Sequence, residues 1–302
     1  MRFPRQQLLR LATLLVTVVI ALGLVVAPAR SDEMMPRQKR FGVAFITQVV
    51  EGSGYVTQSI SDYNAAQLKV GWYLDWWFNA SPDMPADTDL EYVQLIRVGD
   101  RYWPPDWPKV WNAAILNTGA LWLIGNEPEC PNQANLTPEV YAERFHEAYF
   151  KIKGWDLTAR IAIGGIVEPT DLRGRWLEKM IDHYEETYQE SLPTDLWWHI
   201  HIQILSEGAW DGDTFDSAAG AGVPTGITFD RNTDPRLFSL QDCVDIDILK
   251  NMVCDFRDWM ADHGQQNCPL VISEMGVLQP SIYLIDAVQH PDEAERQHLG
   301  DL

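Results

Sequence analysis

The stretch Leu121–Glu129, L-W-L-I-G-N-E-P-E, decides how the chain is read. Leu121–Ile124 is a short apolar run, and Gly125 and Pro128 punctuate its end. A run that is apolar at every position suits a strand buried on both faces, as in a parallel sheet. Asn126 and Glu127 then fall at its carboxyl end, where α/β folds gather their functional side chains. Pro269–Leu278, P-L-V-I-S-E-M-G-V-L, repeats the build: an apolar run, then Glu274 and Gly276.

Working outward, Phe41–Thr47, Lys69–Trp77 and Glu91–Gly99 read as strands one to three, and Ala120–Ile124 as the fourth. Thr137 and Pro138 open a helix that Gly154 closes. Arg160–Val167 is strand five, Trp176–Tyr188 a helix and Leu196–Ile204 strand six. In strand six Trp197, His199, His201 and Gln203 share one face, and Trp198, Ile200, Ile202 and Ile204 the other. A long loop rich in Gly, Asp, Thr and Pro (206–240) precedes a helix at Asp245–His263 and strand seven at Leu270–Ser273. Strands alternating with helices predict a parallel sheet with right-handed crossovers. The expected fold is α/β, a (β/α)₈ TIM barrel truncated after strand seven. Beyond Glu274 only a weak segment, Ser281–Val288, and a charged tail remain.

The N-terminus reads differently. Arg2, Arg5 and Arg10 precede the apolar run Leu11–Val26 and an Ala27-Pro28-Ala29 cleavage pattern, the layout of a secretory signal peptide. Residues 1–29 are expected to be that leader, 30–40 a polar linker, and 41–302 one catalytic domain incomplete at its C-terminus. Either cleavage or retention of the leader as a membrane anchor puts the domain outside the cytoplasm. About 270 residues remain after cleavage, close to the roughly 250 of a (β/α)₈ barrel.

The formal charge is −20, and it becomes three units more negative without the leader arginines. Such acidity argues against nucleic acid and anionic membranes as partners. It is compatible with a neutral polysaccharide, as are the 13 tryptophans. Cys130, Cys243, Cys254 and Cys268 permit two disulfides in an oxidising compartment. A helix running through Cys243 and Cys254 would hold those two too far apart, so Cys254–Cys268 is the expected bridge. Asn79-Ala80-Ser81 and Asn135-Leu136-Thr137 match the glycosylation sequon, which is unspecific.

Two strand-end carboxylates are what glycosidic hydrolysis needs: one protonated, one ionised, about 5–5.5 Å apart for a retaining mechanism. Gly125-Asn126-Glu127-Pro128 and Ile272-Ser273-Glu274-Met275-Gly276 resemble the retaining (β/α)₈ glycosidases of glycoside hydrolase clan A. In that clan an Asn-Glu pair closes strand four and a second Glu closes strand seven. The resemblance spans Phe41 to Leu278. It implies that Glu127 is the general acid/base, Glu274 the nucleophile, and Asn126 the partner of the sugar 2-hydroxyl, with no cofactor.

Other residues are candidates by position. His201 is expected to line the cleft and bond a catalytic carboxylate or a sugar hydroxyl, whereas His199 suits the barrel core. H-x-H aims two rings to one side, but spacing supplies no further ligand, so no metal is expected. Arg97 either holds one of the carboxylates ionised or forms a structural ion pair. Trp76, Trp77 and Trp210 are candidate sugar-stacking platforms. The reading is therefore a secreted hydrolase of β-linked glucan or a similar polysaccharide. A non-catalytic carbohydrate-binding protein on the same scaffold is the alternative.

Overall fold

A computed structural model describes residues 37–46, 48–51, 54–86, 88–208, 220–230, 232–234, 238 and 242–276. Arg37–Arg40 form a single 3-10 turn within a unit of their own, Met1–Arg40; Phe41–Leu302 form the other. The second unit begins with β1 (Gly42–Ala44), β2 (Gln48–Glu51), β3 (Gly54–Thr57), helix α1 (Ala65–Leu68) and β4 (Trp72–Leu74). Next come β5 (Glu91–Tyr92), β6 (Gln94–Ile96), α2 (Trp107–Leu116), β7 (Leu121–Ile124), α3 (Pro138–Trp155) and β8 (Arg160–Ile166). Helix α4 (Asp171–Tyr188), β9 (Trp197–Ile202), α5 (Ile246–Asp262) and β10 (Leu270–Met275) complete the described α-helices and strands, and 3-10 turns lie at Ile60–Asp62 and Asp242–Val244.

Two parallel sheets, β1-β4-β5 and β6-β7-β8-β9-β10, follow the order of the sequence. Only Val93 separates β5 from β6, so the third expected strand passes from one sheet into the other. The result is the seven-stranded parallel arc of a truncated TIM barrel. Cα atoms of β1 and β10 come within 8 Å of each other. Among the described residues no ladder joins them, so the barrel is not closed by hydrogen bonds.

Alternation along the strands divides the core. Leu74, Val93, Leu95, Leu121, Leu123 and Ala162 fill the inside of the arc. Trp122, Ile124, Ile161, Ile163, Trp198 and Ile200 pack outward with Tyr141, Phe145, Trp176 and Met180 of the helices. Trp198, Ile200, Ile202 and Ile204 all belong to that outer layer, which leaves the His199/His201 face of β9 inside.

Some elements differ from expectation. The β2–β3 antiparallel hairpin and helix α2 had not been anticipated. Asp106 caps α2 by accepting from the Lys109 N–H, and Val110, Ala113 and Ala114 give it a buried stripe. Helix α4 starts five residues earlier than its apolar periodicity suggests, because its first turn buries Leu172 and also Arg173. Helix α3 continues through Gly154 to Trp155. The expected Cys254–Cys268 bridge is not formed: Cys254 is exposed on α5 and Cys268 is buried. Ser281–Val288 and the leader lie outside the described residues. Among those described, no helix is long and apolar enough to cross a membrane.

Candidate active site

Strand β9 is the axis of the site, and its pairing is interrupted on both sides. Against β10 the register shifts between Ile272 and Glu274, and against β8 between Gly164 and Ile166. Bulges of this kind re-aim side chains beside active sites. On β10 the shift leaves Ser273 unpaired and brings Glu274 opposite His201. The Ser273 hydroxyl then meets His199 Nε2. On β8 it falls at Gly164 and Gly165, with φ of 108° and 75°. A Cβ on Gly164 would lie 2.5 Å from the His199 carbonyl oxygen, so this close approach of backbones requires glycine.

The same irregularity fixes Glu127. Its backbone N–H donates to the Gly165 carbonyl at 2.7 Å, and its φ of 47° is left-handed. Trp76, at the end of strand two, is the other left-handed residue of the site, with φ 59°. Non-glycine residues persist there only where their surroundings enforce it, and such positions cluster at functional sites.

Glu127, His201 and Glu274 converge at the carboxyl ends of β7, β9 and β10. His201 Nδ1 lies 3.1 Å from Glu127 Oε1, and its Nε2 lies 3.6 Å from Glu274 Oε1. One oxygen of each carboxylate and a ring nitrogen all fall within 4.8 Å of one another. Glu274 accepts from Trp76 Nε1 at 2.5 Å on Oε1 and from Gln203 Nε2 at 3.1 Å on Oε2. Glu127 and His201 are buried, and Glu274 is half-buried.

A cation could also be considered for these three side chains, since the fold supplies His201 with the carboxylates that sequence spacing did not. His199 does not join them, being turned to Ser273. N–H donors already face both oxygens of Glu274 and compensate the charge that a cation would need.

The remaining sequence candidates are spread around this centre. The side-chain oxygen of Asn126 is buried and accepts no hydrogen bond among the described residues. Trp77 is exposed and stacks on Phe78, with centroids 5.6 Å apart, and meets the edge of Tyr102. Trp76 serves Glu274 as a donor, a role distinct from the stacking expected of it. Arg97 bonds neither catalytic candidate: it reaches the Trp76 carbonyl at 3.3 Å and the Tyr102 hydroxyl at 3.4 Å. Trp210 lies outside the described residues. Gln203 and Ser273 were not singled out, although Gln203 shares the His201 face in the alternation of strand six.

Among the described residues, cavities lie at both ends of the arc. One of about 260 Å³ lies at the carboxyl ends of the strands and is lined by Trp77, Phe78, Arg97 and Tyr102. The larger, about 430 Å³, lies at the opposite end, among Glu91, Ala120 and Arg160. It is remote from the carboxylates, at the face that serves barrel stability.

A family model described as glycosyl hydrolase catalytic core matches residues 43–201, more than half of the chain. The chain belongs to the glycosyl hydrolases of that family. Glu127 and His201 fall within the match, and Glu274 beyond it. Similar solved structures include a GH128 subgroup II endo-β-1,3-glucanase from Pseudomonas viridiflava. It is 12% identical with a TM-score of 0.44, over 80% of this chain and 86% of that one. A GH128 subgroup III curdlan-specific exo-β-1,3-glucanase from Blastomyces gilchristii, in complex with glucose, is 14% identical with a TM-score of 0.42, over 74% and 75%. A GH128 subgroup I endo-β-1,3-glucanase from Amycolatopsis mediterranei, in complex with laminarihexaose, is 13% identical with a TM-score of 0.38, over 80% and 88%. These likenesses are distant. No curated protein matches the chain in sequence.

Behind its cleft this glycosyl hydrolase carries a second set of carboxylates. Glu129 follows Pro128 and turns to Arg173, whose Nε donates to its Oε1 at 2.9 Å; the Val167 N–H donates to the same oxygen at 2.8 Å. Arg173 also pairs with Glu207, which accepts from the Thr170 hydroxyl at 2.6 Å. All of these side chains are buried, and burial pushes the Glu129 carboxyl above its ordinary value despite the guanidinium. The network ties the turn bearing Glu127 to helix α4 and the segment after β9. In the hydrolase this fixes the backbone from which Glu127 projects.

Proposed function

We propose that this glycosyl hydrolase cleaves β-linked glucan, or a similar polysaccharide, by retaining double displacement. The observation that carries the reading is the approach of Glu127 and Glu274 oxygens within 4.8 Å across the His201 ring. That spacing supports a retaining pair, at about 5–5.5 Å, over an inverting pair at about 6.5–9.5 Å, which must leave room for a water. Glu274, faced by the Trp76 and Gln203 donors, attacks the anomeric carbon while Glu127 gives its proton to the departing glycosidic oxygen. The bond to that oxygen breaks as the bond to Glu274 forms. Glu127, now ionised, takes a proton from water, which displaces Glu274 and releases the sugar. His201 touches both carboxyl groups and can hold them in register through the cycle. Asn126, whose oxygen has no partner among the described residues, meets the sugar's 2-hydroxyl in this reading. Trp77 offers an exposed face for a neighbouring ring.

The test is hydrolysis of a panel of soluble β-1,3-, β-1,4- and mixed-linkage glucans by the wild type and by Glu127→Gln and Glu274→Gln. The reading expects reducing ends from the wild type alone. Sugar binding without turnover in the wild type would move the chain to the carbohydrate-binding alternative. We assign the hydrolase to the extracellular side, with residues 1–29 removed as a leader. Sequencing the mature N-terminus should then begin at Arg30; a start at Met1 would reject removal of the leader and leave it as an anchor of the same extracellular domain.

A further inference from the structure

The cavity beside the catalytic centre has a chemistry that a neutral glucan does not require. Trp77, Phe78 and Tyr102 give it aromatic walls, with Arg97 just past the end of β6, Arg101 in the loop that follows and Lys109 on α2. Asp106 is the sole carboxylate among the lining residues, and it is paired with Lys109 at 3.1 Å. Among the described residues neither Arg97 nor Arg101 forms an ion pair. Both stack on Tyr102, with guanidinium carbons 5.1 and 5.6 Å from the ring centroid. Two like charges held on one ring repel each other, and an anion between them relieves that cost.

Covalent neighbours and hydrogen bonds connect the cavity to the chemistry. Arg97 Nε donates to the Trp76 carbonyl at 3.3 Å, and the Trp76 indole donates to Glu274 at 2.5 Å. A sugar seated on Trp77 is therefore close to the reacting centre while its substituents face the arginines. We propose that this cavity is a subsite for an acidic sugar unit, one bearing a ring oxyanion such as a carboxylate or a sulfate ester. The aromatic wall takes the apolar face of the ring, and Arg97 and Arg101 take the oxyanion by charge-assisted hydrogen bonds. The net charge of −20 opposes such a ligand at long range. Salt screens that repulsion beyond about 8 Å at physiological ionic strength, so the contact pairs decide. The subsite rests on the sugar-binding reading of the cleft, and deepens it to a substrate class.

The test is calorimetric titration of the full chain carrying Glu274→Gln, which spares the ligand from turnover. The probes are three oligosaccharides of one length and linkage: neutral, carboxylated at C6, and sulfated at C6. One charged hydrogen bond should favour an acidic probe over the neutral one by about fivefold to tenfold. The preference should shrink from about 0.01 M to about 1 M salt, and on adding Arg101→Gln. Tighter binding of the carboxylated probe identifies a uronic acid, and of the sulfated probe a sulfate ester. Equal or tighter binding of the neutral probe overturns the subsite alone, as does a preference that survives Arg101→Gln. Binding of none of the three overturns the subsite together with the sugar-binding reading.

Discussion

The Trp76 indole donates to Glu274 Oε1 at 2.5 Å, joining the end of β4 to the end of β10 across the open side of the arc. The two strands are not neighbours in either sheet, so no ladder makes the connection. The bond fixes the orientation from which Glu274 attacks, and a small misplacement of a nucleophile costs rate. Trp76→Phe keeps an aromatic side chain, though a smaller one, and deletes the donor. It should lower kcat by about 10²-fold through loss of positioning, with a smaller effect on KM. Unchanged kcat would show that the Glu274 orientation does not depend on Trp76.

The two carboxylates should separate by substrate. Without its acid, Glu127→Gln should lose about 10²–10⁴-fold on a polysaccharide whose leaving group needs a proton. It should lose much less on an aryl glycoside with an acidic phenol, at least in the first step. Glu274→Gln should lose activity on both. Equal losses for both variants on both substrates would contradict the division of roles.

Arg173 is fully buried between Glu129 and Glu207. Removing it leaves carboxylates in a dry interior without their counter-charge. Arg173→Leu should cost about 3–5 kcal/mol in urea-induced unfolding, far more than an exposed pair is worth. A loss below about 1 kcal/mol would mean that the carboxylates take up protons at little cost once the guanidinium is gone.

Burial, and secondarily His201, hold His199 well below its ordinary value of 6.5. The unfolded chain gains a proton there as the pH falls through 6.5, and the folded chain refuses it. Folded stability is therefore lost on acidification below pH 6.5, with a slope of up to about 1.4 kcal/mol per pH unit from this group. His199→Gln should flatten that slope between about pH 6.5 and pH 5, whatever its effect on stability at neutral pH. Identical slopes for wild type and variant would refute the assignment.

Much of this was legible in the sequence because the signals are local. The four-residue run Leu121–Ile124 gave a strand, its Gly and Pro gave the strand end, and strict alternation in strand six put His201 and Gln203 on one face. The hairpin of β2 and β3 was missed although Gly52-Ser53, between V-V-E and G-Y-V, is a two-residue turn signal. Arg173 sits in D-L-R-G-R-W, where an arginine ordinarily means a solvated helix face; only its distant partners Glu129 and Glu207 bury it. The Trp76–Glu274 bond spans 198 positions, and the bulge that aims Glu274 depends on β9 beside it. Such features belong to tertiary pairing, which no window of residues records. Arg97 shows the converse, since a cation at a strand end suggested a carboxylate partner and found an aromatic ring.

The most direct test of the Glu127–Glu274 pair is the anomeric configuration of the first product, followed by proton NMR as a β-glucan is cleaved. Double displacement predicts that the β-anomer appears first and the α-anomer only later, by mutarotation. An α-anomer at the earliest time points would contradict the account, because it requires water, not Glu274, to attack the anomeric carbon.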